Sequence, residues 1–352
     1  MTISENINLS QFTTLKIGGP ARYFCAVTSE AELEEALAFA KSKSVRIFIL
    51  GGGSNVLVGD PGFNGLVIKM EMKGIEFEKS TDGKSVLVTV AAGEAWDDLV
   101  AKTVEKGAWG LENLSLIPGT VGAAPVQNIG AYGTEVMNVI ESVRAIDTES
   151  GAARVFSNAE CGFTYRDSIF KRAEYKKYVI VSVSFSLSLS PAPNFRYKDI
   201  KEYFAAKKIA SPTQLDIRNA VIEVRTAKFP NLGEVGTAGS FWKNPIIPRA
   251  QFESLALRYP GIPAFPANAP AGSREVGADE STVKIPLAWV LDSVCGLKGF
   301  ALGKAFLFSR QPLVLVAEHS ATSTDVDRLA AHVADIVLRK TGIIIEKEVG
   351  SL

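Results

Sequence analysis

The sequence predicts a mixed α+β protein, and three patterns carry that prediction. Ser29-Glu30-Ala31-Glu32 reads as a capping box opening an amphipathic helix through Leu33, Leu37 and Ala40, set between strand-like residues 23–27 and 45–50. From residue 179 to 189, apolar side chains alternate with serines, the period of a half-buried strand. Val326, Leu329, Val333, Ile336 and Val337 share one face of a helix that Gly342 stops. At 352 residues the chain is long enough for two or three domains, each with its own core.

Composition narrows the function classes. Hydrophobic content of 47% and charged content of 22% are those of a globular protein. Lys+Arg and Asp+Glu both number 38, so no global field attracts nucleic acid or an anionic membrane. Cys25, Cys161 and Cys295 are far apart and odd in number, which argues against a disulfide framework and for a reducing compartment. Residues 1–11 lack a basic and an apolar export region, so a cytosolic protein is expected. Residues 113–134 carry no charge, but Pro118, Pro125, Gln127, Asn128 and four glycines exclude a membrane span there.

The elements follow in order. Residues 13–22 are extended and broken by Gly18-Gly19-Pro20. After the first strand, helix and second strand comes Gly51-Gly52-Gly53-Ser54-Asn55, then Val56-Leu57-Val58. Glycines here can take positive φ and turn their N–H groups into an anion-binding concavity, with Ser54 and Asn55 as donors at its lip. The spacing is neither a dinucleotide fingerprint nor a P-loop, and a ligand-free glycine hairpin is the plain alternative. Val86, Val88 and Val90 form a strand; Trp96, Leu99, Val100 and Val104 form a helix ended by Gly107. Residues 113–134 are dominated by small side chains, which let backbone approach something large or flat. A hairpin is expected around residues 147–151, a linker from Pro191 to about Ser211, and a helix near residues 212–226. A strand at 313–316, a last helix capped by Thr324, and a closing strand at 343–345 near Glu346 and Glu348 complete the chain.

Few side chains could carry chemistry. The two histidines, His319 and His332, sit in a loop and in the last helix, and a structural role suits both better than catalysis. Histidine and cysteine clusters with metal spacing are absent, so no metal is expected. Three segments remain: Tyr165-Arg166-Asp167-Ser168, Gly239-Ser240-Phe241-Trp242-Lys243-Asn244-Pro245, and Glu346-Lys347-Glu348. An arginine, a serine and a glutamate could together hold a carboxylate and deliver one proton. Taken singly, Arg166 could pair with a surface acid, Ser240 could cap a turn, and Glu348 could be a solvated strand end.

These motifs, in this order, resemble the UDP-N-acetylenolpyruvoylglucosamine reductase (MurB) family over residues 13–349, nearly the whole chain. The resemblance implies an FAD-dependent, NADPH-using enzyme of peptidoglycan synthesis whose FAD domain is of the vanillyl-alcohol oxidase type. It implies an FAD domain at 13–190 (subdomains about 13–75 and 76–190), a linker and substrate loop at 191–211, and a substrate domain at 212–352. Gly51, Gly52, Gly53, Ser54 and Asn55 would hold the FAD pyrophosphate, with Pro118, Gly119, Gly122, Ala123 and Gln127 along the flavin. Ser240 would donate the proton to the α-carbon after hydride passes from flavin N5 to the enolpyruvyl methylene, while Arg166 and Glu348 would stabilise the enolate. Glu346, two residues earlier, is the alternative carboxylate. Tyr197 resembles the tyrosine that covers the substrate diphosphate in the subgroup with an extra loop, joined by Lys228 and Asn244. Residues 267–282 read as an insertion, and a monomer is expected. Two rival readings are a sugar or lactone oxidase on the same FAD fold, and a non-catalytic nucleotide-binding module.

Overall fold

The computed structural model describes residues 1–267 and 281–352, so most of the expected insertion at 267–282 lies outside the described residues. Contacts divide the chain into two compact units. The first comprises Met1–Ile7, Ala21–Gly52 and Asn64–Arg225; the second comprises Asn8–Pro20, Gly53–Phe63 and Thr226–Leu352. This division places residues 191–211 inside the first unit. They are not structureless: they contain a helix, Lys198–Lys207, whose Ile200 and Phe204 are buried with Trp109, Tyr132, Ile217 and Val221.

The first unit holds two sheets. One runs in the order Ser4–Asn8, Pro20–Val27, Phe63–Met70, Arg46–Leu50, and its last two strands are parallel. Helix α1 (Glu30–Ser42) connects Pro20–Val27 to Arg46–Leu50, and residues 51–62 link the two strands of the parallel pair. Ser29 Oγ accepts the Glu32 N–H as expected, but the Glu32 carboxylate reaches back to the N–H and hydroxyl of Thr28 rather than completing the box. The other sheet is antiparallel, in the order Ala153–Ser157, Ile140–Asp147, Tyr178–Ser188, Ser85–Ala91, Ile75–Lys79. The alternation read from sequence is realised there: Val181, Val183, Phe185 and Leu187 are buried while the intervening serines are not. Helix α2 (Trp96–Glu105) lays Trp96 edge-on against Phe185, and Gly107 leaves the helix at φ +67°. The unit ends with α3 (Lys198–Lys207) and α4 (Gln214–Lys228), the latter as far as Arg225.

The second unit is built on an antiparallel sheet in the order Gly236–Ser240, Gln311–Ala317, Ala305–Phe308, Ala301–Leu302. Around it lie α5 (Arg249–Arg258), α6 (Leu287–Trp289), which runs into a π-helical turn at Val290–Val294, and α7 (Ser323–Thr341). Val326, Leu329, Val333 and Val337 of α7 are fully buried. The cap of α7 is Thr322, in a capping box with Asp325, not Thr324. The Thr324 hydroxyl is turned to Asp60 instead, 3.3 Å away. His332 stacks on Phe300, a packing role.

The expected closing strand at 343–345 is not formed. The Ile343 N–H is taken by the Thr341 hydroxyl rather than by a neighbouring strand, and Ile344 is exposed. The closing strand is Gly350–Ser351, parallel to Val56–Leu57. Among the described residues, no helix is long and apolar enough to cross a membrane.

Candidate active site

In the first unit the glycine loop meets the small-residue run. A Cβ on Gly52 would lie 2.7 Å from Gly119 Cα, and one on Gly51 would lie 2.6 Å from Thr120 Oγ1. The two strips of main chain are therefore in contact, which any larger residue would prevent. Of the three loop glycines only Gly53, at φ +63°, is left-handed; the sequence had suggested that freedom for all three. Gly51 and Gly52 are needed for close approach rather than for φ. The run is pinned by the segment before α2: the Gly122 N–H donates to Ala92 O, Val121 N–H to Glu94 O, and Trp96 N–H to Gly119 O. A Cβ on Gly122 would strike Ala92 at 2.6 Å. Pro118 and Ala123 remain exposed, and Gly119 and Gln127 half-exposed.

Arg166 stands just beyond the run at φ +54°, a left-handed conformation uncommon for a long side chain. Its guanidinium donates to the carbonyls of Asn128 (3.3 Å) and Gly130 (2.7 Å) and lies over the Tyr165 ring. Ser168 fixes the turn by donating its hydroxyl to Val126 O at 2.7 Å. Tyr197, at the start of α3, packs edge-on against Tyr132 with ring centroids 5.3 Å apart. Burial, and secondarily the Asp199 charge, pushes its phenol up to about 12, so it is a neutral hydrogen-bonding group.

In the second unit, the strand Gly236–Ser240 ends in an irregularity. Its register with Gln311–Ala317 shifts between Thr237 and Ser240, where Gly239 takes φ +74°. A glycine in that conformation makes a bulge, and a bulge re-aims the next side chain, here Ser240. Phe241 and Trp242, both fully buried, anchor the far side. The Glu348 N–H donates to Phe241 O at 2.9 Å, and Asn55 Nδ2 donates to Glu348 O at 3.3 Å. Ser240 and Glu348 thus sit on segments joined through the residue after the serine. Glu346 is different: its side chain is 73% exposed and paired with Lys243. Lys347 meets Trp242 in a single bridge, and the two glutamates do not lie on a common strand. Asn244 Oδ1 accepts the first N–H of α6, from Leu287, which orients its amide; Lys228 ends α4.

Sequence reading passed over several residues of this region. Asn113 is buried and donates to the carbonyls of Tyr132 and Asn194, tying the run to the segment before Tyr197. Asn128 is buried with its amide bonded to Glu135, Thr164 O and the Met137 N–H. Burial holds the Arg225 guanidinium below its ordinary value, opposed by Tyr132 and Asp97. Asp97 bonds both Arg218 and the Leu116 N–H. The sequence signal was faint: isolated polar residues within otherwise apolar or small stretches.

The donor set suits an anionic, flat cofactor such as FAD. Residues 48–58 and 114–133 contain no charged side chain, so neither strip itself brings a carboxylate against a diphosphate. The close-packed glycines leave main chain rather than side chains at the surface of these strips.

Comparison with known proteins agrees with this reading. Residues 21–157 match the FAD binding domain family, and residues 231–352 match the UDP-N-acetylenolpyruvoylglucosamine reductase C-terminal domain. A UDP-N-acetylenolpyruvoylglucosamine reductase of Ralstonia nicotianae is 40% identical over 342 residues, 97% of this chain and 96% of that one. One from Porphyromonas gingivalis is 38% identical over 349 residues, 99% of both chains. The crystal structure of the reductase from Thermus caldophilus superposes with a TM-score of 0.67 at 24% identity, covering 100% of this chain and 99% of that one. With two family domains in sequence and identity of this level along nearly its whole length, the chain belongs to the UDP-N-acetylenolpyruvoylglucosamine reductase (MurB) family.

Proposed function

We propose that this protein reduces UDP-N-acetylglucosamine enolpyruvate to UDP-N-acetylmuramate with FAD as cofactor and NADPH as reductant. The reading rests first on near-full-length relatedness to named reductases. The structural observation that best supports it is the Gly239 bulge presenting Ser240, one residue before a carbonyl that holds Glu348.

When bound, FAD supplies the hydride chemistry, accepting from NADPH and giving to the enolpyruvyl methylene. Gly51 to Asn55 offer neutral donors to its pyrophosphate, and Pro118, Gly119, Gly122, Ala123 and Gln127 offer a thin backbone surface. Hydride addition to the methylene leaves negative charge on the substrate's α-carbon and carboxylate. Arg166, held by two carbonyls, provides a fixed cation for that charge. Glu348 is the better carboxylate than Glu346, which the Lys243 pair draws to the surface. Ser240 gives its proton to the α-carbon, a task that a weakly acidic hydroxyl performs only in a preorganised site. Tyr197, Lys228 and Asn244 hold the substrate diphosphate. Three buried thiols fit the reducing cytoplasm, where the protein works as a monomer in this reading.

The test is Ser240→Ala in separated half-reactions. Reduction of the flavin by NADPH is expected at the wild-type rate. Its reoxidation by the enolpyruvyl substrate is expected to slow by roughly three or more orders of magnitude. Equal slowing of both half-reactions refutes the proton-donor role.

A further inference from the structure

Leu116 is a non-glycine residue at φ +59° and is exposed, immediately before Ile117, Pro118 and Gly119. A left-handed leucine is strained, and such strain persists only where the surroundings impose it. The surroundings here are the first turn of α2. The Trp96 indole N–H donates to Leu114 O at 2.9 Å, and the Trp96 backbone N–H donates to Gly119 O at 3.1 Å. Residues 114–119 therefore form an arch standing on one tryptophan. Asp97, the next residue, takes the middle of the arch: its Oδ1 accepts the Leu116 N–H at 2.6 Å.

That carboxylate is itself fixed from a second direction. Arg218 of α4 binds it through two bonds, 2.7 Å to Oδ1 and 2.9 Å to Oδ2. The fork geometry sets the plane of the carboxylate, so the oxygen facing Leu116 is not free to rotate away. Burial alone would raise the Asp97 pKa, but the Arg218 and Leu116 hydrogen bonds and the Arg218 and Arg225 charges outweigh it and hold the group ionised. A charged acceptor at the N-terminal turn of α2 also suits the helix dipole.

We propose that Asp97 and Arg218 form a positioning clamp for flavin binding, holding Leu116 left-handed so that Ile117, Pro118 and Gly119 present their backbone to the isoalloxazine ring. Neither side chain contacts the cofactor in this account; both act through the arch. The inference rests on the FAD reading above.

The test measures FAD affinity of the apoprotein by the quenching of flavin fluorescence, with thermal stability alongside. Asp97→Asn is expected to weaken FAD binding by about ten-fold or more, the worth of one charge-assisted hydrogen bond. Arg218→Lys keeps the carboxylate but loses the fork, and is expected to weaken binding a few-fold with a melting temperature near wild type. Leu116→Gly supplies the discriminating result. Glycine takes φ +59° without strain, so adding Asp97→Asn to Leu116→Gly is expected to change FAD affinity by less than about two-fold. Wild-type affinity in both Asp97→Asn and Arg218→Lys overturns the clamp. So does a full Asp97→Asn loss that persists on the Leu116→Gly background. A wild-type chain that binds no FAD overturns the cofactor reading itself, which is a separate result.

Discussion

Replacing Gly52 by alanine perturbs the contact on which the cofactor reading depends. The backbone of Gly52 does not have positive φ, so alanine is conformationally acceptable and even gains about 0.4–1 kcal/mol by restricting the unfolded chain. The steric cost is the larger effect. The new methyl would lie 2.7 Å from Gly119 Cα, 3.1 Å from its carbonyl carbon and 3.4 Å from its nitrogen, all main-chain atoms that cannot swing aside. Overpacking of this kind costs about 1–3 kcal/mol, so the net destabilisation is on the order of 1–2 kcal/mol. In a unit of this size that lowers the melting temperature by about 2–8 °C. Because the two strips must separate, FAD affinity is expected to fall at least ten-fold. Gly83→Ala is the control: Gly83 has φ +67° but nothing within 4 Å of a Cβ. It should cost about 1–2 kcal/mol in strain and leave FAD affinity unchanged. Wild-type FAD affinity in Gly52→Ala, or equal losses in both variants, refutes the reasoning.

Two further outcomes follow from local geometry. Gly239→Ala forces an L-residue to φ +74° at the bulge. It is expected to cost about 1–2 kcal/mol and to slow flavin reoxidation by the enolpyruvyl substrate roughly ten-fold, with reduction by NADPH unchanged in stopped-flow traces. Thr322→Ala removes the α7 cap and should destabilise the second unit by about 1 kcal/mol at neutral pH. The backbone and hydroxyl bonds of Thr322 hold the Asp325 carboxyl below its usual range. A depressed folded-state pKa contributes stability that is present above the unfolded value and lost as pH falls through the folded one. The penalty of Thr322→Ala is therefore expected to shrink in denaturation curves taken at progressively acid pH. A constant penalty would show that the carboxylate adds nothing to the cap.

Local patterns were legible in the sequence where one period dominated. The alternation at 179–189, the hairpin around 147–151 and the apolar face of the last helix all appear as read. What escaped was set by partners distant in sequence. Ile343 to Ile345 look like a strand, yet Gly350 and Ser351 pair instead, because Val56 and Leu57 offer their edge there. The helix Lys198–Lys207 was hidden by the prolines and polar residues around it, and its burial depends on Trp109 and Tyr132, about ninety and sixty-five positions earlier. At the candidate site the glycines were visible, but their reason was not: only Gly53 needs its φ, while Gly51 and Gly52 yield to Thr120 and Gly119. Ser240, Arg166 and Glu348 stood out through their motifs. Asp97 and Arg218 had no motif to mark them, since their meaning lies in a bond to one strained N–H.

The most direct measurement is an anaerobic titration of the purified, flavin-loaded protein. NADPH is expected to bleach the flavin absorbance, and stoichiometric UDP-N-acetylglucosamine enolpyruvate to restore it with formation of UDP-N-acetylmuramate. Absorbance that returns only on admission of oxygen, with the enolpyruvyl compound unchanged, would contradict the account and favour an oxidase.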